Sequence, residues 1–213
     1  VTIVFHNIYQ VKEINLSYNT ITLFKCSFGI KNMVVNIDNK LHKISMSRNQ
    51  LKGIFRNETC FQNDLFSDLR DLNLENNQIE SIEDFSFLGL TSLDTLLLGN
   101  NKLAKIKNNT FYGLDSLSTL EIQNNFIVSI DSNAFSHFSL LTFLNVDNNL
   151  IENFQFSYFK IFSCSITLNS NSIKNIDSIQ LNNNNSYLFL SSNRIESLSK
   201  GSLRHLTHIY SLE

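Results

Sequence analysis

Apolar residues along this chain recur in a fixed pattern rather than in long runs. One copy places Leu69, Leu72, Leu74, Asn77 and Ile79 in the form L-x-x-L-x-L-x-x-N-x-I. The L-x-L part alternates with a period of two, so it predicts a short strand with one buried face. One such strand cannot bury that face alone, and neighbouring copies are therefore expected to stack into a parallel sheet.

The pattern occurs eight times, and each copy is marked by the asparagine that follows its strand. These signature asparagines are Asn19, Asn49, Asn77, Asn101, Asn125, Asn149, Asn171 and Asn193. They are separated by 30, 28, 24, 24, 24, 22 and 22 residues, which is close to the range of leucine-rich repeats. Where the chain leaves the sheet, the amide can bond to backbone groups that the strands leave unpaired. We therefore predict that these eight side chains form a ladder of hydrogen bonds.

A second apolar position lies ten residues after the signature asparagine. In four consecutive copies it is phenylalanine, at Phe87, Phe111, Phe135 and Phe159. Stacked rings at this position would form a spine that fills the wider, convex side of each coil.

Together these features predict an α/β repeat solenoid: a leucine-rich-repeat horseshoe with a concave parallel sheet and a mostly irregular or short-helical convex side. We expect residues 1–213 to form a single array of about eight repeats, with partial repeats at both ends and no terminal caps. On this interpretation the chain is an internal fragment of a longer solenoid, because stacked arrays need polar caps.

Composition narrows the class of protein. The hydrophobic share of 42% and the charged share of 17% are those of a globular chain. The apolar runs are far shorter than the roughly 18 residues of a membrane span. A net charge of −2 makes nucleic acid a less favoured partner, though it stays an alternative. The chain contains 31 asparagines, an excess that the ladder explains only in part.

Cysteines and glycosylation sequons fall mostly outside the strands. Cys26 and Cys60 lie in the two longest repeats, where a disulfide between them and unpaired thiols are both open interpretations. Cys164 could pair elsewhere or be a small buried residue. N-x-S/T sequons occur at Asn15, Asn57, Asn108 and Asn184, and chance alone would produce some of them in a chain this rich in asparagine.

The sequence contains no constellation typical of an enzyme. The G-x-S-x-G, G-x-x-x-x-G-K and H-E-x-x-H motifs are absent, and the cysteine spacing does not suggest a metal site. Regular repeats favour an extended open surface over a catalytic pocket. We therefore predict a binding protein with no cofactor and no metal.

The residues that flank the two inner leucines of each strand should face the concave side. The candidate ligand face consists of Glu75, Asn76, Asn100, Glu121, Gln123 and Asp147. An acidic, amide-rich sheet suits a protein or another polar ligand better than a phosphate backbone. The alternative is that these residues are merely solvated, and that the contact lies on a lateral edge or in the long insertions.

The irregular repeat lengths, the phenylalanine spine and the cysteine-bearing long repeats resemble the ectodomain of a Toll-like receptor. Residues 108–114 (NNTFYGL) and 132–135 (SNAF) resemble the return segments of that family. The resemblance implies an innate immune receptor that binds microbial ligands on the concave or lateral face and signals by dimerising. It also implies an extracellular or endosomal location, with a membrane anchor outside this chain. The alternative is a structural or adhesion leucine-rich-repeat protein that binds protein partners.

Overall fold

A computed structural model describes residues 11–23, 41–56, 61, 66–154, 164–176 and 187–197. In this part of the chain, eight short strands form one parallel sheet whose spatial order is the order along the chain. These strands are β1 (Glu13–Asn15), β2 (Lys43–Ser45), β4 (Asp71–Asn73), β6 (Thr95–Leu97), β8 (Thr119–Glu121), β10 (Phe143–Asn145), β11 (Ser165–Thr167) and β12 (Tyr187–Phe189). The prediction of a leucine-rich-repeat solenoid with a parallel sheet is confirmed.

The strands pair in a register that keeps each repeat aligned with the next. Leu72 of β4 pairs with Leu96 of β6, and Leu96 pairs with Leu120 of β8. All three leucines are fully buried, while the residues on either side of them are partly exposed. Because side chains alternate between the faces of a strand, one face of the sheet forms the core and the other is the open concave face.

Four shorter strands lie just after the signature asparagines, on the lateral side of the coils. They are β3 (Gly53–Ile54), β5 (Ser81–Ile82), β7 (Lys105–Ile106) and β9 (Ser129–Ile130). β3 pairs with β5 and β7 with β9, both in parallel. The described return segments then consist of short turns, such as the one in which the N–H of Leu114 donates to the carbonyl of Phe111.

A column of phenylalanine rings fills the convex side. Phe87 and Phe111 stack with centroids 6.4 Å apart, and Phe111 and Phe135 stack at 6.1 Å. The column continues to Phe61, which stacks on Phe87 at 6.1 Å, and to Phe154, which contacts Phe135 at 6.4 Å. The predicted member Phe159 lies outside the described residues. Sequence spacing missed Phe61 and Phe154 because they do not lie ten residues after a signature asparagine.

The signature asparagines join consecutive coils through their side chains. Nδ2 of Asn101 donates to the carbonyls of Leu98 (3.0 Å) and Gly99 (3.3 Å) in its own coil, and to that of Leu74 (3.1 Å) in the coil before. Its Oδ1 accepts the N–H of Ile79 at 3.0 Å. The asparagines at 49, 77, 125, 149, 171 and 193 repeat this arrangement. Asn19 bonds to carbonyls of its own coil.

The residue before each signature asparagine adopts a left-handed backbone conformation. At Asn76, Asn100, Asn124 and Asn148 the φ angle lies between 54° and 57°. The same conformation occurs at Tyr18, Arg48, Ser170 and Ser192. Asparagine tolerates this region better than most residues, so the four Asn-Asn pairs serve a backbone requirement as well as the ladder. The left-handed conformation of this turn was not predicted from the sequence, although the Asn-Asn pairs are visible there.

Candidate functional site: the centre of the concave sheet

The open face of the sheet is lined by four residues from each coil: two from the strand and two from the turn that follows it. At the third of these positions, consecutive coils carry Glu75, Gly99, Gln123 and Asp147. The predicted candidate Glu121 occupies the second of the four positions in its coil, at the end of β8. We call Glu75, Gly99, Glu121 and Gln123 the concave centre.

The charge of Glu121 affects the ionisation of Glu75 in the concave centre. The pKa of the Glu75 carboxyl is raised, chiefly because partial burial penalises its charged form, and further because the Glu121 carboxylate is nearby. A hydrogen bond from Asn73 and the charge of Arg48 act in the opposite direction. The net result is a carboxyl group whose ionisation is disfavoured on the open face, as expected where like charges share a site.

Gly99 leaves the space that the Gln123 side chain occupies. A Cβ atom at position 99 would lie only 2.6 Å from Nε2 of Gln123. Gln123 Nε2 donates to Oε2 of Glu121 at 3.0 Å. Its Oε1 is buried and accepts no hydrogen bond from the described residues. The concave centre therefore contains one buried polar atom without a hydrogen-bond partner among the described residues, which is uncommon in folded proteins.

The other predicted members of the ligand face are used by the fold itself. Asp147 accepts the backbone N–H of Asn169 at 2.7 Å through Oδ1, and its Oδ2 accepts Nδ2 of the same residue at 3.3 Å. Asn76 and Asn100 hold the left-handed turn, and their N–H groups donate to the carbonyls of Gly99 and Gln123. These three residues lie on the same face as the concave centre, but their conformation or bonding already has a structural role.

The first strand position also faces the concave side, and the candidate face did not include it. In the later coils this adds the rings of Phe143 and Tyr187, and the third strand position adds Phe189. Between them lie the small residues Ser165 and Thr167 of β11. The L-x-x-L spacing does not say where a strand begins, so the sequence missed the first position.

Of the four sequons, two fall within the described residues. Asn15 ends β1, and its Oδ1 accepts the N–H of Ser17 at 3.0 Å. Asn108 lies on a return segment, and its Oδ1 accepts the N–H of Asn133 at 3.0 Å. In each case the bond uses the oxygen and not the nitrogen that would carry a glycan. Asn57 and Asn184 lie outside the described residues.

Of the three cysteines, one falls within the described residues. Cys26 and Cys60, the predicted disulfide pair, lie outside the described residues. Cys164 is unpaired and buried, and burial raises the pKa of its thiol to about 12. A thiol that stays protonated among apolar neighbours behaves as a small core residue.

Two further features of the described residues bear on the kind of site. Histidine, cysteine, aspartate and glutamate side chains do not converge there in any group that could hold a metal ion. The described residues also contain no helix that is long and apolar enough to cross a membrane.

Comparisons with known proteins agree with the repeat geometry. The leucine-rich repeat family model matches residues 39–103, 67–125 and 92–151. A chain in the crystal structure of a TLR13–ssRNA13 complex is 27% identical to this chain, with a TM-score of 0.60. The match covers 74% of this chain and 23% of that one, so this chain spans less than a quarter of the length of that protein. No curated protein sequence matches the chain.

The family follows from the extent of these matches. The three segments together run from residue 39 to residue 151, which is more than half of the 213 residues. Leucine-rich repeats with a Toll-like receptor fold are a non-enzymatic kind of protein. The chain belongs to the leucine-rich-repeat family, and its coils resemble those of a Toll-like receptor ectodomain.

Proposed function

We propose that this chain is part of the ligand-recognition ectodomain of an innate immune receptor, which binds a microbial ligand and signals by dimerising. The family and the likeness to a Toll-like receptor support this proposal. The location that goes with it is the extracellular space or the endosomal lumen, in a glycosylated and membrane-anchored parent protein. The proposed role is binding and not catalysis.

The observation that carries the ligand site is the concave centre. It combines two interacting glutamates with an amide whose Oε1 has no partner among the described residues. The RNA in the similar TLR13–ssRNA13 structure is a ligand of that protein. In this chain the acidic centre would repel phosphates, so we propose a polar ligand that donates hydrogen bonds or carries positive charge.

A binding experiment with matched variants tests the proposal. The natural protein is tested against microbial nucleic acid, lipid and protein fractions, alongside Glu121→Arg and the control Glu80→Arg. Glu80 is exposed and lies outside the concave face. We expect at least one fraction to bind, and Glu121→Arg to abolish that binding with an unchanged melting temperature. Binding that is equal in all three proteins, or no binding to any fraction, would sink the proposal.

A further inference from the structure

Two aromatic side chains stand on either side of a serine near one end of the open face. Phe143 begins β10, Ser165 begins β11 and Tyr187 begins β12, and the parallel register aligns these three first positions. Tyr187 is 42% exposed, and Phe143 and Ser165 are partly exposed. We call the space between Phe143 and Tyr187, above Ser165, the aromatic slot.

The width of the aromatic slot follows from the spacing of the strands. Phe143 and Tyr187 lie two strands apart in the sheet, and neighbouring strands are about 4.8 Å apart, so the two side chains start about 10 Å apart. A ligand ring that contacts both walls needs about 3.5–4.0 Å between carbon atoms on each side, which takes up about 7–8 Å. The remaining 2–3 Å, roughly, suits a puckered ring with substituents better than a flat one.

Polar groups without a partner in the fold lie at the floor and at one end of the slot. Oδ1 of Asn145 accepts the N–H of Asp147 at 3.1 Å and the hydroxyl of Thr167 at 2.9 Å. Nδ2 of the same side chain donates to no acceptor among the described residues, and Oγ of Ser165 makes no hydrogen bond with them. A ligand between the two rings therefore meets one open hydroxyl and one open amide donor.

The charge around the slot disfavours a nucleic acid. The described residues of β10, β11 and β12 and of the turns after them place one charged side chain on the open face, Asp147, and neither a lysine nor an arginine. Proteins that stack single-stranded bases on aromatic rings combine those rings with a positively charged groove for the phosphates. The aromatic slot offers the rings without the groove, so its ligand is expected to be uncharged.

The open polar groups also disfavour an apolar side chain of a protein ligand. Such a side chain would cover the Ser165 hydroxyl and the Asn145 amide without bonding to either, and a buried polar group that loses water without gaining a partner costs free energy. The ligand that fits both the walls and the floor has apolar faces and a hydroxyl-bearing edge.

We propose that the aromatic slot binds a hexopyranose unit of a neutral glycan. The C–H groups on the two faces of the sugar ring pack on Phe143 and Tyr187, whose π faces are electron-rich. The hydroxyls at the edge of the sugar ring bond to Oγ of Ser165 and Nδ2 of Asn145. Phe189, about 7 Å further along β12 than Tyr187, extends the same wall toward the next sugar of the chain.

The inference rests on the proposed recognition function, since it names a ligand class for a second region of the same open face, but it is tested with defined sugars. The natural protein is titrated in a calorimeter with neutral hexasaccharides of glucose, of mannose and of N-acetylglucosamine, and with a uridylate hexamer. The variants are Phe143→Leu and Tyr187→Leu, which keep apolar bulk without a ring, and Ser165→Leu, which fills the floor. The control is Phe126→Leu, because Phe126 is 56% exposed but lies just after Asn125, outside the open face.

We expect at least one neutral hexasaccharide to bind, and each of the two ring variants to weaken that binding at least about fivefold, because each removes one stacking face. Ser165→Leu should abolish the binding, since its side chain occupies the space of the sugar. Phe126→Leu should bind as the wild type does, and the uridylate hexamer should not bind the slot. Melting temperatures close to that of the wild type would show that the variants are folded.

Three results would overturn the inference. The first is that none of the neutral hexasaccharides binds, and the second is that folded Phe143→Leu, Tyr187→Leu and Ser165→Leu bind them as the wild type does. The third is that only the uridylate hexamer binds and that its binding requires the two rings.

The outcome also separates the aromatic slot from the concave centre. If sugar binding depends on the slot while Glu121→Arg changes the binding of no microbial fraction, the proposed role of the concave centre fails and the slot stands. If a microbial fraction requires Glu121 while no neutral hexasaccharide binds, the slot fails and the proposed function stands.

Discussion

The buried interior of the coils and the open concave face are built from the same repeat, but they differ in uniformity. In the interior, consecutive coils place the same residue at the same position, as with the buried asparagines Asn77, Asn101 and Asn125. On the concave face, the third position changes in each coil, from Glu75 to Gly99 to Gln123 to Asp147. Stacking requires residues of the same kind at each interior position, whereas the open face can vary without breaking the stack. We therefore propose that specific recognition uses the positions that vary.

The largest effect should come from breaking the apolar column of the interior. Phe111 is buried and stacks on both Phe87 and Phe135. We predict that Phe111→Ala lowers the free energy of unfolding by about 3–5 kcal/mol, because it removes a buried ring and leaves a cavity. Chemical denaturation followed by circular dichroism measures this loss.

The neighbouring ring provides the control for that prediction. Tyr112 is 39% exposed and contacts Phe85 and His137 from the outside of the coil. Tyr112→Ala should cost less than about 1 kcal/mol, as is usual for exposed positions. Equal losses for the two variants would show that the buried column does not stabilise the array more than its surface does.

The polar column should give the next largest effect. Asn101 makes four hydrogen bonds, two within its own coil and two to the coil before. We predict that Asn101→Ala lowers the free energy of unfolding by about 1–3 kcal/mol, because buried backbone groups lose their partner. Asn133→Ala is the matched control, since Asn133 is exposed, and its cost should stay within about 0.5 kcal/mol. A thermal melt of Asn101→Ala that overlays the wild type would contradict the role of the ladder.

A smaller effect is expected at the left-handed turn that separates the interior from the open face. Asn100 has a φ of 57°. We predict that Asn100→Ala costs about 1 kcal/mol because a Cβ-bearing residue without a polar side chain disfavours this conformation. Asn100→Gly should recover most of the loss, since glycine adopts positive φ freely. If Asn100→Ala and Asn100→Gly have the same melting temperature, the left-handed conformation does not explain why asparagine occupies this position.

The sequence predicted the interior well because hydrogen bonding and packing fix it residue by residue. The spacing of leucines before Asn101 determined both the strand and the ladder. The column of rings was predicted only where the repeat keeps its ten-residue offset, as at Phe111. Phe61 and Phe154 reach the same column from other offsets, which a pattern of fixed spacing cannot find.

The concave face was predicted less completely, since nothing repeats there. Glu75 and Glu121 were recognised as members of one face, but their interaction across the sheet and the way Gln123 lies over Gly99 depend on side-chain conformation. The sequence could not separate Asp147, which is bonded to the next coil, from residues that remain open. The exposure of Phe126, Val128 and Leu150 was not predicted, because these apolar residues occupy positions that are polar in most other coils.

The smallest effect on stability concerns the concave centre and depends on pH. The pKa of Glu75 is raised above its ordinary value of 4.5 by burial and by Glu121. A carboxyl group with a higher pKa in the folded chain binds more protons when folded, at pH values between its unfolded and folded pKa. The free energy of unfolding should therefore fall as pH rises through that window, and the contribution of Glu75 is favourable only below it.

We predict that Glu75→Gln removes this part of the pH dependence, and that Glu121→Gln reduces it by removing the nearby charge. Melting temperatures measured from about pH 4 to pH 7 give the slope for each protein. Glu80→Gln is the control, because Glu80 lies on the lateral surface. Its melting temperature should change with pH as that of the wild type does. A Glu75→Gln profile parallel to the wild type would mean that the two glutamates do not share a site. Their charges would then be free to act separately on a ligand, and the concave centre would lose the interaction that distinguishes it from the rest of the open face.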